Sequence, residues 1–199
     1  MAQNGFAVVG GGDAARLEAD LEAAASGAHA ILSSGIAGAV APGLMAGDIV
    51  IDGDYADALR PFFPDARFGK ILGSDAIVAT VSAKNALHAE TGALAVDMES
   101  HIAARVAARH RLPFAALRVI SDTASETLPP AALIGMRPDG GMAIGAVLGS
   151  LVRNPTQLPA LIRTGMSAGR AFRRLESCHD VLRRGGIGEL DLGEFALDV

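Results

Sequence analysis

Residues 112–122 read LPFAALRVISD, and they follow AVDMES at 95–100 and a basic, alanine-rich stretch ending at Arg111. Pro113 stops any helix arriving from upstream, because it has no amide hydrogen to donate and its ring clashes with the preceding turn. Phe114–Ile120 is short and apolar, as a strand buried on both faces should be. Asp122 stands just past it, behind Ser121. In an open α/β sheet the ligand crevice lies outside the carboxyl ends of the strands, so Asp122 is where chemistry is expected. Glu99 opens the preceding helix, so a single helix–break–strand unit aims two acids at a possible crevice.

Working outward, Ala93–Val96 reads as a strand leading into Asp97-Met98-Glu99, and a helix is expected from about Met98 to His110. Met98, Ile102 and Val106 share one stripe of it. Arg105, Arg109, His110 and Arg111 crowd its carboxyl end, where cations suit the helix dipole. Toward the N-terminus, Phe6–Val9 reads as a strand ending in Gly10-Gly11-Gly12, with Asp13 as a helix N-cap. Leu17, Leu21 and Ala24 carry that helix to about Ala25, Gly27 closes it, and Ala28–Ser34 is the next strand of a right-handed βαβ unit.

Gly35-Ile36-Ala37-Gly38-Ala39 then reads as a small-residue turn at the carboxyl end of that strand. Gly47–Ile51 is a strand, and 52–66 an acidic, proline-bounded loop with one helical turn. Phe68–Leu72 and Ala76–Val81 are candidate strands, and Lys84–Glu90 a short helix. Past Leu128-Pro129-Pro130, amphipathic helices are expected at about 141–153 and 156–176. No repeat or linker interrupts this, so residues 1–199 read as a single α/β domain.

Half of the 199 residues are hydrophobic, yet only 4% are aromatic and none is Trp. Such a core of Ala, Val, Ile and Leu suits a sheet covered by helices. A formal charge of −5 gives no basic footprint for nucleic acid. Cys178 is the only cysteine, which excludes an internal disulfide and a CxxC metal site. The histidines at 29, 88, 101, 110 and 179 lack metal-ligand spacing, so no metal is expected. With neither a leader-like N-terminus nor an apolar run of membrane-spanning length, a cytoplasmic protein without an integral membrane segment is expected.

The candidate sites each have a structural explanation beside the functional one. Gly10-Gly11-Gly12 lacks the GxGxxG spacing of a dinucleotide site, and an anion at the following helix N-terminus fits it better. The glycines of 35–39 let backbone amides approach a ligand, and a plain tight turn explains them equally. Glu99 could serve only the helix dipole, and Asp122 could be only a turn former or cap. Cys178 reads as structural.

The runs SSGIAGAVAPGLMAGDIVI (33–51), AVDMES (95–100) and LPFAALRVISDTAS (112–125) together resemble the nucleoside phosphorylase and nucleosidase superfamily. That group includes purine nucleoside phosphorylases and methylthioadenosine/adenosylhomocysteine nucleosidases. The wording of residues 95–122, with the Pro-Pro loop and LPALIRTG at 158–165, is most similar to the hopanoid-associated phosphorylase branch.

The resemblance implies a three-layer α/β fold with a central mixed sheet. It implies cleavage of the N-glycosidic bond of a purine nucleoside, specifically phosphorolysis of an adenosyl-hopanoid precursor with release of adenine. Hydrolysis, or purine binding without catalysis, are the alternatives. Glu99 would accept hydrogen bonds from the ribose hydroxyls, with Met98 packed on the sugar. Asp122 would protonate the purine at N7, flanked by Ser121. Ile77 and Val78 would wall the base, and Gly35, Ile36 and Ala37 would line the site. Gly11, Gly12 and Gly35 are the candidate phosphate-binding positions. Phosphate or water would be the co-substrate, without a cofactor, in a homo-oligomer, first a dimer.

Three departures from the family pattern stand out. FAVVGGGDAARL matches the family's second strand, so its opening strand is expected to be missing. Ile36 replaces a serine that contacts the nucleophile in many relatives. Ile77 stands where nucleosidases place a stacking phenylalanine.

Overall fold

The computed structural model describes residue 8, residues 13–135, residue 150 and residues 154–185. Its strands are β1 (Ile31–Ala39), β2 (Ile49–Asp52), β3 (Arg67–Phe68), β4 (Ile71–Gly73), β5 (Ala95–Asp97) and β6 (Phe114–Asp122). They form one six-stranded sheet in the order β3-β2-β6-β1-β5-β4. The sheet is mixed: β1 and β6 run parallel along almost their whole length, while β2 and β5 lie antiparallel to β6 and β1 respectively. The helices are α1 (Ala14–Ala25), α2 (Ala56–Leu59), α3 (Val81–Thr91), α4 (Ser100–His110), α5 (Pro130–Gly135) and the long α6 (Leu158–Arg184).

The burial of β6 on both faces, expected from its apolar run, follows from what covers it. Ala115, Leu117 and Val119 pack with Ile49 and Ile51 against Ala171, Leu175, Cys178 and Leu182 of α6. Ala116 and Ile120 point the other way, into a cluster with Ala37, Ala39, Val50 and Ala95. On that second face α1 and α4 close over β1 through Ala25, Ile31, Ala103, Val106 and Ala107. Two helical layers therefore sandwich the sheet.

Local chemistry explains the helix ends. Asp13 accepts from Arg16 N at 3.0 Å to cap α1, and Thr80 accepts from Ala83 N at 3.2 Å to cap α3. Gly92 ends α3 in the left-handed region at φ 68°, where a glycine carries no steric penalty. The cations at the end of α4 do more than suit its dipole: Arg105, Arg109 and His110 pair with Glu18 and Glu22 of α1.

Several expectations are corrected. Gly35–Ala39 is not a turn but the second half of β1, because β6 continues alongside and supplies its hydrogen bonds. Asp122 is the last residue of β6 rather than the first beyond it. Phe68–Leu72 divides into β3 and β4, which pair with different neighbours. Ala76–Val81 is no strand: Thr80 caps α3, and 74–80 connects β4 to that helix. The C-terminal helix starts at Leu158 after a 3-10 turn and runs on to Arg184. The expected strand Phe6–Val9, the glycines 10–12 and most of the helix expected at 141–153 lie outside the described residues.

Candidate active site

The parallel register of β1 and β6 slips by one residue near its end, so that Ala37 faces Ile120 while Gly38 faces Asp122. The absence of a side chain at Gly38 makes room for the acid, since a Cβ there would lie 3.1 and 3.3 Å from the Asp122 carboxylate oxygens. Lys84 of α3 donates to Oδ2 at 2.5 Å, forming a buried ion pair. Ser121 Oγ lies 2.8 Å from Oδ1 and 3.1 Å from the carbonyl of Ala37, either of which accepts its proton. Asp122 does not form the turn that follows β6; Glu126 does, by accepting from Thr123 N at 2.8 Å.

Glu99 lies on the other side of β1. It occupies the N-cap position of α4 without capping it. Asp97 performs that task, accepting from Ser100 N at 3.2 Å and from Ser100 Oγ at 2.6 Å. Among the described residues Glu99 accepts a long bond of 3.3 Å, from Met98 N. Burial, with the negative charge of Asp97 nearby, raises its carboxyl above the ordinary glutamate range. Arg118 opposes that shift. This residue stands abreast of Gly35, and its guanidinium passes over the glycine to pair with Asp97. The same guanidinium donates to Ser33 O at 2.8 Å and Ser33 Oγ at 2.7 Å.

The other anticipated residues occupy β1, the connection from β4 to α3 and the residue before Glu99. Gly35 is under Arg118, Ala37 is buried in the cluster facing α1 and α4, and Ile36 packs against the cluster beneath α6. Ile77 and Val78 lie on the connection from β4 to α3, between two ties. Asp75 Oδ1 is 3.0 Å from His101 Nε2 on α4, and Ala79 O accepts from Leu128 N at 2.9 Å. Met98 is half-buried directly before Glu99. Gly11 and Gly12 lie outside the described residues. A cavity of about 220 Å³ opens beside the end of β6, lined by Pro42–Met45, Val81, Asn85 and Thr123–Ser125.

Lys84, Asp97 and Arg118 are the site's charged neighbours that the sequence reading passes over. Arg118 carried a signal: a charge inside a strand buried on both faces demands a partner. Lys84 carried none, because a lysine in a short polar helix reads as solvent-facing. Cys178 is buried, and burial pushes its thiol up to about 11, so it is an inert packing residue. Among the described residues no group of three or more His, Cys, Asp or Glu gathers as metal ligands do. No helix among them is long and apolar enough to cross a membrane.

The family model described as the phosphorylase superfamily matches residues 55–153, which include β5, α4, β6 and both acids. The chain belongs to the phosphorylase superfamily. Solved structures with the same fold include the native futalosine hydrolase of Helicobacter pylori strain 26695. It has a TM-score of 0.54 and 19% identity, over 86% of this chain and 76% of that one. The 5'-methylthioadenosine/S-adenosylhomocysteine nucleosidase of Helicobacter pylori, with butyl-thio-DADMe-Immucillin-A, has a TM-score of 0.54 and 18% identity. That match covers 86% of this chain and 76% of that one. A putative methylthioadenosine nucleosidase from Weissella paramesenteroides has a TM-score of 0.50 and 23% identity, covering 85% of this chain and 77% of its own. At such identities the likeness establishes the fold alone. Among curated proteins, no sequence matches this superfamily member.

Proposed function

We propose that this phosphorylase-superfamily protein cleaves the N-glycosidic bond of a purine nucleoside and releases the base as adenine. One observation carries the reading. Asp122 and Glu99 sit on opposite sides of β1, and the local structural work expected of each is done by a neighbouring acid, Glu126 and Asp97 respectively. Acids kept largely out of solvent without such local employment are candidates for chemistry.

As the C1′–N9 bond breaks, its electron pair moves onto the purine and positive charge grows on the ribose. Asp122 gives a proton to N7, so that neutral adenine departs. Glu99 accepts hydrogen bonds from the 2′- and 3′-hydroxyls and places negative charge beside the developing cation. Met98 packs against the sugar, and Ile77 and Val78 line the base. Ser121, Gly35, Ile36 and Ala37 shape the floor.

Water is the nucleophile this arrangement favours over phosphate. Among the described residues, the cation beside Glu99, Arg118, already answers the charge of Asp97 and is not free for a phosphate dianion. The neighbours described above are likewise named as a hydrolase and nucleosidases. An adenosyl-hopanoid precursor is the specific substrate proposed. The exposed side chain of Met45, on the lining of the cavity beside the end of β6, supports a large apolar 5′ group.

The test is adenine release from 5′-methylthioadenosine and from adenosine, with and without inorganic phosphate, identifying the sugar product. Free sugar at a phosphate-independent rate is expected. A sugar phosphate formed only when phosphate is added would make phosphorolysis the reaction. No free base under either condition would overturn the reading.

A further inference from the structure

Lys84 is fully buried, with no exposure of its side chain. Withdrawing an ammonium from water costs several kcal/mol, and a leucine or methionine would fill the inner face of α3 without that cost. What holds it there is a complete set of acceptors. Its Nζ donates to Asp122 Oδ2 at 2.5 Å, to Thr123 O at 2.8 Å and to Glu126 O at 2.9 Å. These account for every proton an ammonium can donate. Two of the three acceptors are carbonyls of the turn after β6, so the helix, the turn and the acid are tied at one atom.

The consequence is an asymmetric carboxylate. Oδ2 is fixed to Lys84, whereas among the described residues Oδ1 meets Ser121, whose hydroxyl has the Ala37 carbonyl as a second acceptor. Resting on the reading of Asp122 given above, we propose that Lys84 is the positioning residue of the acid. It holds Oδ2 so that Oδ1 is the oxygen that hands the proton to the purine. In that step Asp122, which enters it carrying at Oδ1 a proton taken up from solvent, passes that proton to N7 while the C1′–N9 electron pair passes to the base. Asp122 is left as a carboxylate. The negative charge so restored is balanced at Oδ2 by the Lys84 ammonium, in place and desolvated before the reaction begins.

Lys84→Met retains the bulk and removes the charge. It is assayed on an adenine nucleoside and on 4-nitrophenyl β-D-ribofuranoside, whose leaving group departs without a proton. The kcat on the nucleoside is expected to fall about 100-fold with KM within about threefold, and the nucleoside-to-nitrophenyl rate ratio to fall about tenfold or more. A loss shared equally by the two substrates, or carried by KM alone, would show a purely structural lysine and overturn the proposal. Should Lys84→Met not fold, Lys84→Gln, which can still donate to the turn carbonyls, is read by the same criteria. Asp122→Asn run in parallel separates the two layers of inference. If it shows no selective loss on the nucleoside, the reading of Asp122 itself fails. If it does while the Lys84 variants do not, only the role of Lys84 fails.

Discussion

Two ion pairs are buried among the described residues, one crossing β1 and one closing the end of β6. In the first, Arg118 reaches over Gly35 to Asp97, and both oxygens of Asp97 are occupied, one by the guanidinium and the other by Ser100. In the second, Lys84 holds one oxygen of Asp122, and among the described residues the other meets a serine hydroxyl with an alternative acceptor. The Asp97 side chain is 1% exposed and that of Asp122 10%, so only the latter can be approached from outside. The same chemistry serves two ends. A saturated carboxylate braces β5 and β6 across β1 and caps a helix, while an unsaturated one at a strand end is available to a ligand.

The strongest way to break this contrast is Arg118→Ala, which leaves Asp97 charged and buried without its counter-ion. It is expected to cost about 3–5 kcal/mol of unfolding free energy, measured by denaturant titration. A cost below about 1 kcal/mol would mean that the pair is not a brace.

The glycines under the two pairs provide a finer test. Gly38→Ala presses a methyl group against the Asp122 carboxylate at 3.1 Å, whereas the nearest atom for Gly35→Ala is Arg118 Nη1 at 3.7 Å. Gly38→Ala is therefore expected to lower kcat for adenine release by about tenfold to a hundredfold, because small displacements of a catalytic group are costly. Gly35→Ala, whose methyl group meets Arg118 at an ordinary contact distance, should lower kcat by less than Gly38→Ala does. Equal effects at the two positions would erase the distinction.

The smallest effect concerns Glu99, whose folded-state carboxyl is raised by burial and by Asp97. The folded state holds its proton to a higher pH than the unfolded chain does. That stabilising contribution is present below the unfolded value and is lost as the pH rises through the folded one. Glu99→Gln should therefore raise the melting temperature slightly at neutral pH, with the gain vanishing as the pH falls below the ordinary carboxylate range. Its turnover should fall at the same time. A lower melting temperature at neutral pH would mark Glu99 as a structural residue.

The sequence made the frame legible where local rules act alone. Pro113 must end α4, the apolar run after it must be covered on both faces, and Asp13 has the chemistry of a cap. Positions set by distant partners were not legible. Gly35–Ala39 has the composition of a turn, but it is a strand because β6 runs beside it, and its glycines make room for Arg118 and Asp122. Lys84 looks like surface until the chain returns 38 residues later with Asp122. Both acids of the candidate site were visible from their places beside the Pro113 break. Their charged neighbours, which distinguish the brace from the free acid, emerge only from the packing of α3, β5 and β6.

The most direct measurement is adenine release by Asp122→Asn compared with wild type, with circular dichroism confirming an unchanged fold. Asparagine preserves the shape and removes the proton donor. The expected result is a fall in kcat of about 100-fold to 10,000-fold on a purine nucleoside. A folded Asp122→Asn protein that releases adenine at the wild-type rate would contradict the assignment of Asp122 as the acid.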